Sequence, residues 1–243
     1  MNKRYNFAVI VPMANESADF NRFISKLKGI LDFLESGTVY LIVDNVSKDN
    51  TLELCEATTA SDRRFVTIWA PENKNVVDAY IRGYREAVCR HDFIIEMDAG
   101  MSHDPAALPM FLRALNEGNE CAFGSRFING GSIWDSNLKR RFLSKAGTLM
   151  SNLLLGTRMK DMTSGYQGFH VSAIKKLLQY ELLSTGHFYQ TEVRYLMRKF
   201  RYIEVPIHYR MPSPNVSSKS VGNALSVLMF YFFRRIFFQS RAI

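Results

Sequence analysis

The 243 residues carry a formal net charge of +8, with 47% hydrophobic and 22% charged residues. That balance excludes intrinsic disorder and supplies ample core for one large or two small domains, while the positive charge favours phosphates, nucleic acid or an anionic membrane face as partners. The three cysteines, Cys55, Cys89 and Cys121, are odd in number and lack metal-ligand spacing, so reduced, buried thiols in a cytosolic protein are expected rather than a disulfide or zinc framework.

The start, Met1-Asn-Lys-Arg-Tyr, is basic, but the apolar run behind it ends at Pro12 and Glu16. It reads as a first strand, not a signal peptide. Phe7-Ala-Val-Ile-Val-Pro12 is continuous and β-branched, as buried parallel strands are. The turn Asn15-Glu-Ser-Ala-Asp leads into a helix over Phe20–Leu34, and Val39–Val43 is the second strand. The polar loop Asp44-Asn-Val-Ser-Lys-Asp-Asn-Thr51 feeds a helix through Leu52, Leu54 and Ala57. A strand at Phe65–Trp69, a helix at Val76–Val88 and a strand at Phe93–Met97 follow. Asp98-Ala-Gly-Met-Ser-His103 then turns, and Asp104-Pro105 caps a helix running to about Leu115. Asp98 therefore stands at the carboxyl end of a buried strand, either merely ending it or facing the edge where open α/β sheets bind ligands. Strands alternating with such helices, continuing through Cys121–Gly124, predict βαβ units and a mostly parallel sheet.

Past Gly124 come the loop Ser125–Gly131, a long helix over Lys139–Leu155, the turn Asp161-Met-Thr-Ser-Gly165, and a strand at Tyr166–His170. Helices at Ala173–Tyr180 and Tyr189–Phe200 and a strand at Tyr202–Val205 complete this half. No Gly/Ser linker intervenes, so residues 1–220 form one catalytic domain, with a nucleotide-binding half (1–124) and an acceptor-side half (125–220). Residues 221–243 contain Ala224-Leu-Ser-Val-Leu-Met-Phe-Tyr-Phe-Phe233 and then Arg234-Arg235. The apolar run is roughly half of the ~20 residues that span a bilayer. It suits an amphipathic helix lying in the membrane interface, or alternatively one packed on the domain or at a dimer contact.

Glu16, Asp44 and Asp98 each follow a predicted strand, so their carboxylates share one sheet edge, where they can bind a nucleoside and a cation bridging a diphosphate. Neither GxGxxG nor GxxxxGK[ST] is present. Phosphate charge then falls to a metal at Asp98 or to Arg126, Arg140, Arg141 and Lys219, although Lys139–Arg141 is equally a solvated face. No nucleic-acid-binding module is recognisable.

Pro12 with Asn15-Glu16, the Asp44–Thr51 loop and Asp98-Ala-Gly-Met-Ser-His resemble the nucleotide-sugar half of an inverting GT-A glycosyltransferase of family 2. Gly124-Ser-Arg126-Phe, Gly130-Gly131, Trp134, Arg140, Ser144, Asp161-Met-Thr-Ser-Gly165-Tyr, Tyr189-Gln190-Thr-Glu192, Glu204-Val-Pro206-Ile and Ser218-Lys219 resemble its polyprenyl-phosphate (dolichyl-phosphate) mannose synthase branch. The resemblance runs from about residue 6 to residue 220 with the motifs in order. It implies a hexose, mannose first, moved from a nucleotide diphosphate sugar such as GDP-mannose to a polyprenyl phosphate, by a peripheral protein at the cytoplasmic membrane face.

The resemblance also implies site residues. Pro12, Glu16 and Asp44 would hold the nucleoside, with Asp44 on the base or ribose, and Asn15, Asn45 and Ser47 would also be substrate-binding. Asp98, Ala99 and Ser102 would lie at the sugar diphosphate and its Mg²⁺ or Mn²⁺, with Asp98 the metal ligand. Arg126, Arg140, Ser144 and Lys219 would surround the phosphates, with Gln190 and Glu192 on the sugar side; Asp98, Arg126 and Glu192 would be catalytic. Gly100 stands where the family has its second Asp, which removes one metal ligand. Ser213-Pro-Asn-Val216 replaces an Arg-X-X-Gly clamp, for which Arg210 could substitute, and Gln167 stands where an Arg is common. Two rivals follow from these departures: the same fold acting on a saccharide acceptor in surface polysaccharide assembly, with Glu192 as base, or a catalytically reduced nucleotide-sugar- or lipid-binding protein.

Overall fold

A computed structural model of the chain describes residues 5–134, 138–210 and 218–237, without the side chains of 138–140 and 218–220. Strand β1 (Phe7–Met13) is central, pairing in parallel with β2 (Thr38–Val43) on one side and β4 (Phe93–Glu96) on the other. Strand β3 (Phe65–Trp69) extends the sheet beyond β2. Helices α1 (Phe20–Leu34), α2 (Thr51–Ser61) and α3 (Val76–Ala87) make the crossovers. Helix α3 sits close against β1, because a Cβ at Gly83 would lie 2.2 Å from Ile10 Cγ2. The β1 sequence is apolar throughout because both of its faces are covered.

Pro12 costs the sheet nothing. The carbonyl of Ile10 faces β4, where it accepts from Met97 N–H at 3.1 Å, and β4 pairs no further than Ile10–Glu96. The Pro12 nitrogen points to that same side, just past the end of β4, where no ladder bond is due.

After β4, a 3-10 turn (Pro105–Ala107), capped by the Asp104 carboxylate on Ala106 N–H, opens α4 (Leu108–Asn116). Strand β5 (Cys121–Ser125) follows, then the short β6 (Ser132–Ile133) and the long α5 (Leu138–Leu155). Strand β7 (Gln167–His170) inserts antiparallel between β4 and β5, and β8 (Tyr202–Pro206) pairs with β5 in parallel. The sheet order is therefore β3-β2-β1-β4-β7-β5-β8, seven strands with one antiparallel, spanning both halves of the chain. Helices α6 (Val171–Leu177) and α7 (Tyr189–Leu196) are shorter than their sequence periodicity predicts, and β6 pairs with a small unpredicted strand, β9 (His208–Tyr209). Helix α8 (Ser218–Phe237) packs beside α5, where Arg235 Nη1 donates to the Leu153 and Leu154 carbonyls at 3.2 and 2.9 Å. An arginine on those last carbonyls satisfies acceptors that a helix end leaves open. Cys55 and Cys121 are buried as expected, whereas Cys89 is exposed just past the end of α3.

A polar cluster lies beneath the sheet edge. Glu96 is fully buried and accepts from Tyr84, Tyr189 (2.9 Å) and the Gln167 amide. Burial, opposed in part by these hydrogen bonds, pushes its carboxyl up to about 7 from an ordinary 4.5. The folded state thus keeps a proton that the unfolded chain has lost between those values. Its contribution to stability is complete below about pH 4.5 and lost as pH rises through 7. Relative to Glu96→Gln, the unfolding free energy of the protein is expected to fall by about 3 kcal/mol between pH 4.5 and pH 8. Denaturant titrations of both proteins across that range check this; a constant difference would show that Glu96 titrates as it does when unfolded.

Candidate active site

The strand order reverses between β1 and β4, and the crevice at the carboxyl ends of strands at such a point is where open α/β sheets take ligands. A pocket of about 330 Å³ opens there, with Pro12, Asp44 and Val46 on one side and Asn75 and Thr185–His187 on the other. Asp44 is buried, and its Oδ1 accepts from Val46 N–H at 2.9 Å, which fixes the turn leaving β2.

Two loops are stitched together along this edge. Asn15, in the left-handed region at φ 58°, donates through Nδ2 to the Val46 carbonyl (3.0 Å) and accepts through Oδ1 from Lys48 N–H (2.8 Å). The backbone N–H of Asn15 donates to Ser47 Oγ at 3.2 Å, and that of Glu16 to Thr51 Oγ1 at 2.9 Å. Asn45 reaches the Pro71 carbonyl at 2.9 Å. Asn15, Asn45 and Ser47, expected to bind substrate, hold the loop architecture through these bonds.

Asp98 is held from two sides. The Tyr80 hydroxyl donates to its Oδ1 at 2.7 Å, and its own backbone N–H donates to His103 Nδ1 at 3.1 Å. Burial lowers the His103 pKa, so the ring is neutral near pH 7; with Nδ1 accepting, its proton sits on Nε2. The 3.5 Å approach of His103 Nδ1 to Asp98 Oδ2 is then not an ion pair. Tyr80 is fully buried, stays a phenol because burial and then Asp98 raise its pKa, and stacks on Tyr189 with centroids 5.4 Å apart. A Cβ on Gly165 would lie 3.0 Å from Gln190 Nε2, 3.2 Å from His103 Cε1 and 3.3 Å from Asp98 Oδ2, so these three groups converge over that glycine.

Gly100 adopts φ +73°, and a Cβ built on it would stand 2.9 Å from Glu16 Oε2. The Glu16 carboxylate thus occupies the space beside the position that lacks an aspartate. Burial, then the negative charge of Asp98, pushes Glu16 up to about 7. Ala99 and Ser102 are buried in the same loop, and the Ser102 carbonyl accepts from Arg210 N–H at 3.2 Å. The Arg210 guanidinium lies over Trp134 (5.4 Å to the ring centroid) and 3.9 Å from Asp104.

Two of the residues expected to be catalytic are already engaged within the protein. Arg126 is buried and forms a bidentate pair with Asp161, at 2.7 and 2.8 Å, plus a bond to Thr163 Oγ1 at 2.5 Å. Burial alone would raise the Asp161 carboxyl, but Arg126 outweighs it and holds it at about 2. Arg126 therefore organises the Asp161–Gly165 turn and is engaged there rather than presented to phosphates. Glu192, expected at the sugar side, is 0% exposed and accepts from Leu183 N–H (2.9 Å), Ser184 N–H (2.8 Å) and the Tyr231 hydroxyl (2.7 Å). Its position under α8 removes it from any role as a base open to substrate. Ser144 is half-buried on α5, and the side chains of Arg140 and Lys219 lie outside the described residues.

Sequence reasoning did not single out Tyr80, Asn75 or the Thr185–His187 segment. Only a shared helix face at Tyr80 and Tyr84 hinted at the first of these. Among the described residues, no set of three His, Cys, Asp or Glu side chains is arranged to hold a metal ion. The negative charge of Asp98 acts on Glu16, and these two carboxylates would be the residues to hold Mg²⁺ or Mn²⁺ once substrate phosphates complete the shell.

The model for "Glycosyl transferase family 2" matches residues 8–178. The chain is 28% identical over 222 residues to an undecaprenyl-phosphate mannosyltransferase of Micrococcus luteus, covering 89% of each. It is also 28% identical over 219 residues to a polyprenol monophosphomannose synthase of Mycolicibacterium smegmatis, covering 88% of this chain and 81% of that one. Among solved structures, glucosyl-3-phosphoglycerate synthase of Mycobacterium tuberculosis, crystallised with Mn²⁺, UDP and glucosyl-3-phosphoglycerate, superposes with a TM-score of 0.69 at 15% identity, over 94% of this chain and 80% of that chain. At that identity the likeness concerns the GT-A fold.

Proposed function

Because the chain belongs to glycosyl transferase family 2, we propose that it moves a hexose, mannose first, from a nucleotide diphosphate sugar to a polyprenyl phosphate, with inversion at the anomeric carbon. The observation that carries the lipid-phosphate acceptor over a saccharide one is the burial of Glu192 with its oxygens already hydrogen-bonded. A saccharide hydroxyl would need a base to deprotonate it. A phosphate monoester arrives already ionised and needs only orientation and charge management.

The nucleoside lies against Pro12 and Asp44 in the pocket, placing the diphosphate toward Asp98. Asp98 and Glu16 would hold a divalent cation, which neutralises charge developing on the leaving diphosphate. Tyr80 fixes one oxygen of Asp98 and His103 fixes its backbone, so the carboxylate is pre-set before substrate arrives. Arg210, seated by Trp134 and bonded to the Asp98 loop, takes the place of the missing Arg-X-X-Gly clamp on the phosphates. Arg140, Ser144 and Lys219 are assigned to the acceptor phosphate on the strength of the family pattern.

The two-helix layer of α5 and α8 is the membrane-facing surface in this reading. Phe142, Leu143 and Leu153 on α5 are 72–75% exposed, and Phe237 on α8 is 71% exposed, with Leu225, Phe233 and Ile236 also open to solvent. Arg141, Lys145 and Arg234 lie among them, suiting anionic headgroups. No helix among the described residues is long and apolar enough to cross a membrane. In this reading the layer would lie on the bilayer at its cytoplasmic face, as the family resemblance implies. Release of nucleoside diphosphate from GDP-mannose is expected to require added polyprenyl phosphate, and equal release with free saccharides instead would favour the rival acceptor.

A further inference from the structure

The loop at residues 183–187 supplies one wall of the donor pocket through Thr185, Gly186 and His187. Three consecutive backbone N–H groups of this loop are tied down by two side chains. Leu183 and Ser184 donate to the two oxygens of Glu192 at 2.9 and 2.8 Å, and Thr185 donates to Asn223 Oδ1 at 3.0 Å. Asn223 also donates to the Leu183 carbonyl at 3.3 Å, and Tyr231 donates to Glu192 Oε1 at 2.7 Å. Asn223 and Tyr231 both belong to α8, the helix whose outer face carries Leu225, Phe233, Ile236 and Phe237. One helix thus presents an apolar face outward and grips the donor-pocket loop inward.

We infer that Asn223 and Tyr231, the latter acting through Glu192, are positioning residues for the donor pocket, so that seating α8 on an anionic bilayer and binding the nucleotide reinforce each other. This rests on the membrane reading of α8 given above. Asn223 grips the loop directly, and Tyr231 holds the carboxylate that grips it. A helix free to shift in solution lets both slip, whereas one held by a bilayer keeps the pocket wall in its binding geometry. Linkage makes the effect reciprocal: whatever factor the membrane adds to nucleotide affinity, the nucleotide adds to membrane affinity.

The test uses the full chain, with GDP and UDP as separate nucleotide probes and vesicles of phosphatidylcholine containing phosphatidylglycerol. Nucleotide affinity is titrated with and without vesicles, and vesicle co-sedimentation is measured with and without saturating nucleotide. The expected result is a gain of roughly fivefold or more in each direction, equal within error, for the nucleotide that binds. Asn223→Ala and Tyr231→Phe are each expected to bring the factor toward one while both separate bindings persist. Asn223→Asp keeps an acceptor for Thr185 N–H and is expected to restore part of the factor, which loss of a merely structural contact would not do. Intact binding of both ligands with no mutual effect overturns the coupling alone, and a factor unchanged when Asn223→Ala and Tyr231→Phe are combined overturns the assignment of these two residues as its carriers. Absence of vesicle binding overturns the membrane role of α8 and the coupling with it, and absence of binding by either nucleotide overturns the donor assignment and the coupling with it.

Discussion

Asp98→Asn is expected to reduce sugar transfer at saturating substrate by roughly 10²–10³-fold, the usual loss when one group aimed at developing charge is removed. The asparagine keeps an acceptor for the Tyr80 hydroxyl, which now donates at 2.7 Å, so the fold is preserved and only the charge is lost. Asp98→Ala is expected to abolish transfer as well, but it also leaves the buried Tyr80 hydroxyl unpaired at a cost of about 1–3 kcal/mol. Comparing the two separates chemistry from stability. Steady-state kinetics beside thermal melts decide the matter: near-normal turnover in Asp98→Asn would remove Asp98 from the diphosphate.

The second large effect concerns the missing aspartate. Because the Glu16 carboxylate lies where a side chain on Gly100 would be, 2.9 Å from its Cβ position, Glu16→Ala is expected to weaken Mn²⁺ binding in the presence of GDP by at least roughly tenfold. The swap variant Glu16→Ala with Gly100→Asp places a carboxylate back beside Asp98 and is expected to recover much of that affinity. Asp at φ +73° carries some strain but is among the residues that tolerate the left-handed region. Gly100→Asp alone brings its Cβ against Glu16 and adds like charge, so it is not expected to help. Electron paramagnetic resonance of free Mn²⁺ reads the metal directly and independently of turnover. Full Mn²⁺ affinity in Glu16→Ala would remove Glu16 from the metal shell.

Much of this arrangement is legible in the chain itself. The β1 and β2 runs, and β4 up to the buried Glu96, are apolar because they are covered on both faces. The polar residues that end them, Asp44 and Asp98, therefore had to emerge at one edge of a parallel sheet. Apolar periodicity carries no direction, however, and it left unread that β7 runs antiparallel between β4 and β5. Side-chain partnerships across loops were equally hidden. Glu16 meets Gly100 only because two strand ends converge, and Glu192 reads as an accessible acid until Tyr231, 39 residues later, covers it. The pairing of Arg126 with Asp161 is equally hidden, because Asp161 lies in a separate turn 35 residues on. Each of these partnerships joins groups far apart in sequence, which no local pattern encodes.

Transfer itself offers the most direct check. The purified chain is incubated with GDP-mannose or UDP-glucose carrying a radiolabel in the sugar, together with membrane lipid extract and Mg²⁺, Mn²⁺ or EDTA. The mixture is then partitioned into organic solvent. Mannose label is expected in the lipid phase with either cation and not with EDTA. An aqueous-only label with every donor and cation would contradict hexose transfer to a polyprenyl phosphate.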